Sequence, residues 1–511
     1  MRENRVARLR SGGVWAIAAG SSPRTAACLV LFLALPQFYL MPEGSTDIAA
    51  TTVITALLVP GVLLAARRGS GVALLRLGLF RVLVALLVVR LLALTWSPDP
   101  RAGMPLIALV GQFVVTLALM VQAIRQDPEL PRRLARWYWP WVLLEAVLVL
   151  TFRFLPDVED AFLRSVGGIF IGQNTVAALF GGSPNNVFDP AKSGGLFVNA
   201  NVAGLFLGVN AVAAFAMAAV THARWVRVVG LIALAAVPFT GSKSATVLAV
   251  TLPTAVLAVR RLGPRAARTT PTGVARRNTR RRPGTWTQGH LWVGLTAAGA
   301  LGAVVVLLTA DFGFVQALAK SFGDRTAIWG FGAEAFLRDP VLGLGYGGWD
   351  AGFDAYAREH GIYRSFPPHN VLLSAWAATG LAGLVLTVAF FTLALRLALP
   401  VLTGGNQGRR VLALWAAAAV GWTLIHGLGD NTDIFGDIHL IPILSLLLAH
   451  LIVGGGEESN DHAHAHRRDP ASPAVPAVGG LYRESGDITA QLPTVVRGPG
   501  PGPGHAGDRV G

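Results

Sequence analysis

The chain has 511 residues, of which 53% are apolar, with a mean hydropathy of +0.53 and a formal net charge of +15. The apolar residues fall in runs of roughly 17–25, each able to span ~30 Å of hydrocarbon. This excludes a soluble globular protein and predicts an integral membrane protein with many spans. The basic excess is typical of cytoplasmic membrane loops, so we expect no nucleic-acid partner. A single cysteine, Cys28, excludes an intrachain disulfide and a cysteine-based metal site.

The first elements in chain order are a basic cytoplasmic N-terminus at 1–24 and an apolar run at 25–42. No small-residue cleavage site follows this run, so we interpret it as a retained signal-anchor span. Apolar runs of similar length recur up to residue 453 and predict an all-α transmembrane domain over 25–453, with about twelve helices. The candidate spans lie near 25–42, 48–66, 77–96, 104–124, 137–155, 200–220, 225–240, 244–260, 290–310, 371–395, 411–428 and 437–453.

Arginines fall in every second connection between these spans, which places both termini in the cytoplasm. The cytoplasmic loop 261–289 is the most basic, because "RRLGPRAARTTPTGVARRNTRRR" (260–282) holds nine arginines and no acid. The tail 454–511 is rich in Pro, Gly, Ala and charge, which predicts a disordered cytoplasmic segment. The other basic connections contain Arg2, Arg5, Arg8 and Arg10; Arg67, Arg68 and Arg76; Arg125, Arg132, Arg133 and Arg136; Arg224 and Arg227; and Arg409 and Arg410.

Two long connections, about 156–199 and 311–370, then lie on the outer side of the membrane. Helical patterning in the second predicts two short helices on the outer face. "DRTAIWGFGAEAFLRDP" begins with Asp324 as a candidate N-cap and stops at Pro340, and "WDAGFDAYAREH" repeats the pattern. The alternative is an amphipathic cover for the bundle that carries no chemistry.

Polar segments at the outer membrane edge all fall on the same side of the predicted topology, which indicates an external site facing the bilayer surface. They are "LTWSPDPRAG" (94–103), "GGLFVNANVAG" (194–204), "FTGSKSATV" (239–247), "DRTAIW" (324–329), "DPVLGLGYGGW" (339–349) and "FPPHN" (366–370).

Two cations in these segments, Lys243 and Arg325, stand at an apolar boundary where an unpaired charge is costly. They can pair with acids such as Asp324 or Asp339. They can instead bind an anion such as a phosphate or pyrophosphate, since Arg makes bidentate phosphate contacts and Lys a point contact.

His369 is the natural general base of the group, because imidazole exchanges protons near neutral pH. The alternative is that Asn370 caps a helix and His369 rests in the headgroup layer. The glycines of "GLGYGG", including Gly345, allow a tight loop or a close approach of backbone to a sugar. The outer loops contain no H-E-x-x-H, P-loop, G-x-S-x-G or tight acidic cluster, which favours a metal-free, cation-assisted transfer.

In ensemble these segments resemble the O-antigen ligase and O-antigen polymerase family of bacterial membrane glycosyltransferases. "GLFVNANVAG" is similar to its G-F-x-N-x-N segment, and "GSKSA" to its Ser-Arg/Lys element, where many members have Arg at the position of Lys243. "DRTAIWGFGAEAFLRDPVLGLGYGGW" resembles its R-x-x-x-W helix and the following Gly segment. "PPHNVLLSAWAATGLAGL" resembles its H-N-x-x-L segment. The resemblance covers roughly residues 25–450.

This resemblance implies a multi-pass enzyme of the bacterial inner (cytoplasmic) membrane, working at its outer face without metal or other cofactor. The implied donor is a glycan on undecaprenyl pyrophosphate, joined into a polymer or attached to a glycan, lipid, protein or wall acceptor. By position, Arg325 and Lys243 would hold the pyrophosphate leaving group, and His369 would activate the acceptor hydroxyl. The implied catalytic residues are thus His369 and Arg325, and the implied substrate-binding residues are Lys243, Ser242, Asn201, Asn199, Gly345 and Asn370.

The competing hypothesis is a transporter or flippase of lipid-linked glycan, which needs charged residues deep in a central cavity and inverted repeats. The intramembrane candidates are few: Arg81, Arg90, Glu145 and His426. No repeat of broken spans is visible, and we interpret Arg90 with Glu145 as a structural pair between spans.

Overall fold

The computed structural model describes residues 48–65, 77–181, 191–262, 312–362, 366–404 and 407–467, together with the isolated positions Leu31, Phe38, Tyr39, Leu74 and Asp189. The side chains at 62–65, 312–324, 403–404 and 455–467 are not among the described parts. The chain divides into two compact units, Met1–His462 and Ala463–Gly511, and the helices up to residue 427 lie in the first.

The described part of the chain is helical apart from two isolated β-bridges, Tyr39 with Ala49 and Asp433 with Gly436. This confirms the all-α class. The helices of the first half are α1 Ala50–Ala65, α2 Gly78–Ala93, α3 Pro100–Gln126, α4 Leu130–Phe154, α5 Pro156–Phe162, α6 Gly168–Ile171, α7 Gln173–Phe180, α8 Ala200–Thr221, α9 Arg224–Ala236 and α10 Lys243–Leu262. Those of the second half are α11 Phe312–Arg338, α12 Gly348–Glu359, α13 Val371–Arg396, α14 Ala398–Gly404, α15 Gln407–Gly427 and α16 Ile441–Arg467.

Five helical stretches of the described chain are long and apolar enough to cross a membrane, judged by length and composition. Other predicted spans coincide with shorter helices. At 16 residues, α1 and α2 are each about 24 Å long, less than the ~30 Å of a hydrocarbon core. The predicted span 290–310 lies outside the described residues, so the number twelve stays a prediction. The five stretches are Pro100–Gln126, Ala200–Thr221, Lys243–Arg261, Val371–Leu402 and Gln407–Gly427.

Helix α8 lies at the centre of the bundle and packs against α4, α9, α10 and α15. Its sequence is rich in Ala and Gly, and such small residues let neighbouring helices approach closely where lipid supplies no hydrophobic drive. Gly208 shows how tight the packing is, because a β-carbon there would lie 1.9 Å from the ring of Trp422 on α15. This central helix therefore fixes the relative positions of the elements whose ends carry the polar groups.

The described part of the connection 311–370 contains two helices, as predicted, but the first is longer than expected. Helix α11 begins at Phe312, so the prediction that it starts at Asp324 with this residue as N-cap is wrong. It ends at Arg338, two residues before Pro340, as predicted. Phe331 of α11 packs against two rings of α12, with centroids 4.9 Å from Trp349 and 5.5 Å from Phe353. This aromatic cluster joins α11 to α12 and also includes buried residues of α13.

Helix α13 is broken at Gly380, which has φ 69° and ψ −165°. The segment that follows α11 inserts beside the break, where the Leu381 N–H donates to the Val341 carbonyl at 3.0 Å and the Leu344 N–H donates to the Ala377 carbonyl at 2.8 Å. A β-carbon at Gly380 would lie 2.1 Å from the Val341 oxygen, so only glycine fits here. The predicted span 371–395 is therefore a helix that is interrupted where the segment after α11 packs against it.

Helix α16 continues to Arg467, beyond residue 453, where the last predicted span ends. The remainder of the predicted disordered tail lies outside the described residues.

Candidate functional site

Asn370 forms the N-cap of α13, as the sequence predicted. Its Oδ1 accepts the N–H groups of Leu372 at 2.9 Å and Leu373 at 3.1 Å, and its Nδ2 donates to the Leu428 carbonyl at 3.2 Å. The first two bonds satisfy orphan donors of the first helical turn. The third ties the start of α13 to the segment after α15, a contact between residues 58 positions apart in sequence.

His369, directly before this cap, has a left-handed backbone with φ 45°. Such a conformation is uncommon outside glycine and costs of order 1–3 kcal/mol, which the surrounding structure has to offset. The imidazole is 24% exposed, and its Nδ1 lies 3.7 Å from Oδ1 of Asp430, within ion-pair reach although beyond hydrogen-bond length. Strain of this kind is often retained at functional positions.

Asp430 lies in the connection between α15 and α16 and is buried between two imidazoles. Its Oδ1 faces His369, while its Oδ2 lies 3.3 Å from Nε2 of His426, and the Asn431 N–H donates to Oδ1 at 2.8 Å. Burial by itself raises the pKa of this carboxyl, but the two imidazoles and the Asn431 N–H outweigh it and hold the pKa well below its usual range. Asp430 is therefore ionised at neutral pH and supplies a fixed negative charge beside His369.

His426 connects this carboxylate to the turn before α10. It is fully buried near the end of α15, and its Nδ1 lies 3.2 Å from the Ser244 hydroxyl. Ser244 Oγ in turn lies 3.4 Å from Ser242 Oγ, and Lys243 between them is the first residue of α10. The "GSKSA" turn, predicted as an outer turn between two spans, is thus linked through His426 and Asp430 to His369.

Arg325 of α11 reaches the same region. A β-carbon at Gly429 would lie 3.7 Å from its Nη1, so the guanidinium lies next to the backbone adjacent to Asp430. The sequence offered two acids, Asp324 and Asp339, as ion-pair partners of Arg325. Among the ion pairs formed by the described residues, none joins Arg325 to Asp339. The side chain of the other, Asp324, lies outside the described residues.

Asn199 and Asn201 occupy the start of α8. Asn199 is its N-cap and accepts the Asn201 N–H at 2.9 Å, and the preceding Val198 has φ 63°, an outlier for a β-branched residue. One turn further on, a β-carbon at Gly204 would lie 3.0 Å from that of Ser242. The two asparagines therefore stand about one turn from the "GSKSA" turn, although no described hydrogen bond connects their side chains to His369 or Arg325.

Gly345 has φ 72°. Its backbone lies close to another part of the protein, whereas the sequence also allowed a close approach to a sugar. A β-carbon there would lie 2.8 Å from Cα of Ser97, and the neighbouring Tyr346 N–H donates to Ser97 Oγ at 2.8 Å. The glycines thus let the "GLGYGG" loop dock on the turn after α2. Gly345 also lines a large cavity of about 1010 Å³. Among the described residues that line this cavity, it is the one that was predicted as a site residue.

Arg90 is buried on α2, where it forms a bidentate ion pair with Asp433. Its Nη1 donates to Asp433 Oδ2 at 2.9 Å and its Nη2 donates to Oδ1 at 2.6 Å, while Nη1 also donates to the Leu106 carbonyl at 2.7 Å. Glu145 instead accepts the Leu196 N–H at 3.0 Å. The predicted Arg90–Glu145 pair is therefore wrong, because α2 faces the connection after α15 at this position.

The residues missed from sequence lie mainly in one connection, "HGLGDNTDIFGD" (426–437), which brings Asp430 and Asp433 between two apolar helices. These two carboxylates could have been singled out from the sequence, because a charged group next to apolar helices is costly in free energy unless it has a partner. In the described chain, no group of three or more His, Cys, Asp or Glu side chains is arranged to hold a metal ion.

The helical architecture, the candidate spans and a buried polar cluster where their ends meet together define a polytopic membrane protein with a site at the helix termini. Residues 195–388 match the family model described as Wzy_C, O-Antigen ligase. The matched segment runs from the residue before Leu196 into α13 and contains every residue predicted for the site. Asp430 and His426 lie beyond it. A comparison with curated proteins found no match.

Proposed function

We propose that the protein is a metal-independent glycosyltransferase that transfers or polymerises a glycan carried on undecaprenyl pyrophosphate, at the outer face of the bacterial cytoplasmic membrane. The match of residues 195–388 to the O-antigen ligase family model supports a ligase-type activity. The observation that carries the proposal further is the contact of His369 with the ionised Asp430, beside the guanidinium of Arg325. A base and a cation at one membrane edge are what transfer to a hydroxyl from a pyrophosphate requires.

His369 is the proposed base. A carboxylate facing Nδ1 favours the tautomer with its proton on that atom, which leaves the Nε2 lone pair free for the acceptor. As the acceptor oxygen attacks the anomeric carbon, its proton passes to Nε2 and the bond from the anomeric carbon to the pyrophosphate oxygen breaks. The leaving pyrophosphate keeps the electron pair. The 3.7 Å between His369 Nδ1 and Asp430 Oδ1 is longer than a hydrogen bond, and we expect it to shorten in the complex with substrate, as catalytic hydrogen bonds often do.

Arg325 and Lys243 are the proposed partners of the leaving pyrophosphate, whose negative charge grows as the bond breaks. Preplaced donors of this kind are typically worth roughly 3–4 kcal/mol in the transition state. Ser242, Asn199 and Asn201 are proposed to bind substrate near Lys243, because their helix starts pack together. Asn370 acts by holding the His369 backbone.

Purified protein in lipid nanodiscs tests the proposal with lipid-linked glycan extracted from cells that lack the gene. His369→Gln should lower turnover roughly 10²–10⁴-fold, the usual worth of a general base, while donor binding persists. His360→Gln is the matched control, because His360 is an exposed histidine that follows α12 as its C-cap and stacks on Tyr356. Wild-type turnover by His369→Gln would end the proposed base role.

The cations are tested in the same assay. Arg325→Ala should lose turnover far beyond any loss of folded protein, and Lys243→Arg should stay substantially active because the charge remains and a bidentate fork is gained. Full activity of Arg325→Ala would contradict the electrostatic role.

Deletion of the gene separates ligase from polymerase. Accumulation of long lipid-linked chains would identify a lost ligase, and accumulation of single repeat units a lost polymerase. Unchanged lipid-linked glycans on the outer leaflet would contradict both.

A further inference from the structure

The cavity of about 1010 Å³ lies beside the His369–Asp430 pair, separated from it by two short segments. Pro367, Pro368 and Val371 line the cavity on one side, and Asn431 and Thr432 line it on another. These residues flank His369 and Asp430 in the chain, so the cavity and the pair share the same two walls. A ligand part held in the cavity would be directly next to the proposed base.

The charges of the cavity wall argue against a phosphate ligand. Arg90 is neutralised by its bidentate pair with Asp433, which also lines the cavity. The other charged lining residues are Arg101, Asp350 and Asp437, and Asp437 is paired with the imidazole of His439. Arg101 and Asp350 then contribute one charge of each sign, so the wall has no excess of cations to bind a phosphate, and the pyrophosphate belongs with Arg325 and Lys243 outside the cavity.

Neutral polar groups of the wall lack partners. Within the described part of the chain, Gln112 Nε2, Ser374 Oγ and Thr432 Oγ1 are buried without a hydrogen bond, and all three residues line the cavity. Gln112 is 4% exposed and lies within the predicted span 104–124, and its Oε1 accepts only a long bond of 3.4 Å from Thr52. A buried polar group without a partner is destabilising, and a ligand with hydroxyl groups would supply the missing hydrogen bonds.

Apolar side chains form another part of the wall, with Met104, Leu106 and Leu109 of α3 among the lining residues. Apolar surface with a few convergent polar groups is typical of a small-molecule site, although this cavity is at the upper end of the usual size. A lipid chain would cover the apolar surface but leave Gln112 and Ser374 unpaired. A sugar presents both hydroxyls and apolar C–H faces, and it matches the wall on both counts.

We infer that this cavity binds the uncharged, hydroxyl-rich sugar units of a glycan next to His369, with Gln112 as a specificity-determining contact. The inference rests on the proposed function and deepens it, because it separates a sugar site from the pyrophosphate site. Two sources have the same chemistry, the sugars of the lipid-linked donor and those of a glycan acceptor.

The test measures binding to nanodisc-embedded protein with three probes: bare undecaprenyl pyrophosphate, lipid-linked glycan extracted from cells lacking the gene, and the glycan released from that lipid. The variant is Gln112→Leu, which keeps the size but removes the polar atoms. Gln122→Leu is the matched control, because Gln122 lies on the same helix, is also buried with an unpaired Nε2, and is not among the lining residues. Ala108→Trp, which places a ring in the cavity, is the second variant.

Gln112→Leu should weaken binding of the released glycan about 3- to 10-fold, the net worth of one hydrogen bond, and leave bare undecaprenyl pyrophosphate unchanged. Ala108→Trp should weaken it at least as much. If the lipid-linked glycan is weakened equally, the cavity holds donor sugars. If only the released glycan is weakened, it holds acceptor sugars.

Three results would overturn the inference: no binding of the released glycan by the wild type, equal behaviour of Gln112→Leu and Gln122→Leu, or equal weakening of the bare lipid, which would make the cavity a lipid site. Transfer by the wild-type protein is measured alongside. A wild type that binds the glycan but transfers none would refute the proposed function and leave the sugar site standing.

Discussion

The bonds of Asn370 allow the link between the cap of α13 and the proposed catalytic site to be measured. Asn370→Ala removes three hydrogen bonds: two from the first turn of α13 to Oδ1, and one from Nδ2 to the Leu428 carbonyl. Loss of an N-cap costs about 1 kcal/mol, and one further hydrogen bond costs about 1 kcal/mol. The substitution should therefore lower the free energy of unfolding by about 2 kcal/mol.

Asn370→Ser separates the two contributions, because a serine hydroxyl can cap the helix but cannot reach Leu428 as an amide does. Its cost should be about 1 kcal/mol, half that of the alanine. Turnover should fall in both variants, since the bond to Leu428 holds the His369 segment against the segment that carries Asp430. Reversible unfolding in mixed detergent micelles measures stability, and the nanodisc transfer assay measures turnover.

Two outcomes for Asn370→Ser and Asn370→Ala would contradict these expectations. If Asn370→Ser equals the wild type in both stability and turnover, the bond to Leu428 has no function. If Asn370→Ser and Asn370→Ala lower the free energy of unfolding equally, the cap contributes nothing to the stability of α13.

The remaining predictions concern charge and topology. Arg90→Leu should cost about 3–5 kcal/mol because it leaves Asp433 buried and unpaired; restoring stability by adding Asp433→Leu would confirm this, and simple additivity would contradict it. Burial raises the pKa of Glu159 to about 7, so its contribution to stability is present below the unfolded value of about 4 and is lost as the pH rises through 7. Glu159→Gln should therefore raise the unfolding midpoint relative to the wild type at pH 8, and an unchanged difference between pH 5 and pH 8 would refute this. In intact cells of a strain without the native cysteine, an impermeant thiol reagent should label Ala355→Cys and spare Ala275→Cys; labelling of the latter would overturn the orientation.

Sequence by itself determined the features that depend on near neighbours along the chain. Run length and composition predicted helices of membrane length. The predicted cap formed by Asn370 consists of bonds to residues two and three positions away, so the cap residue and its partners can be read in one short motif. The end of α11 before Pro340 follows from the proline in the same way.

Only the tertiary structure decided which distant groups meet. Asp433 is 343 positions from Arg90, and no local pattern distinguishes it from Glu145 as the partner of that arginine. The same holds for His426, which joins Ser244 to Asp430, and for the break at Gly380, which exists because the segment around Val341 packs there. Helix propensity and capping are local, whereas pairing depends on which helices the bundle makes neighbours. The small residues of α8 set that arrangement through packing that a one-dimensional pattern does not contain.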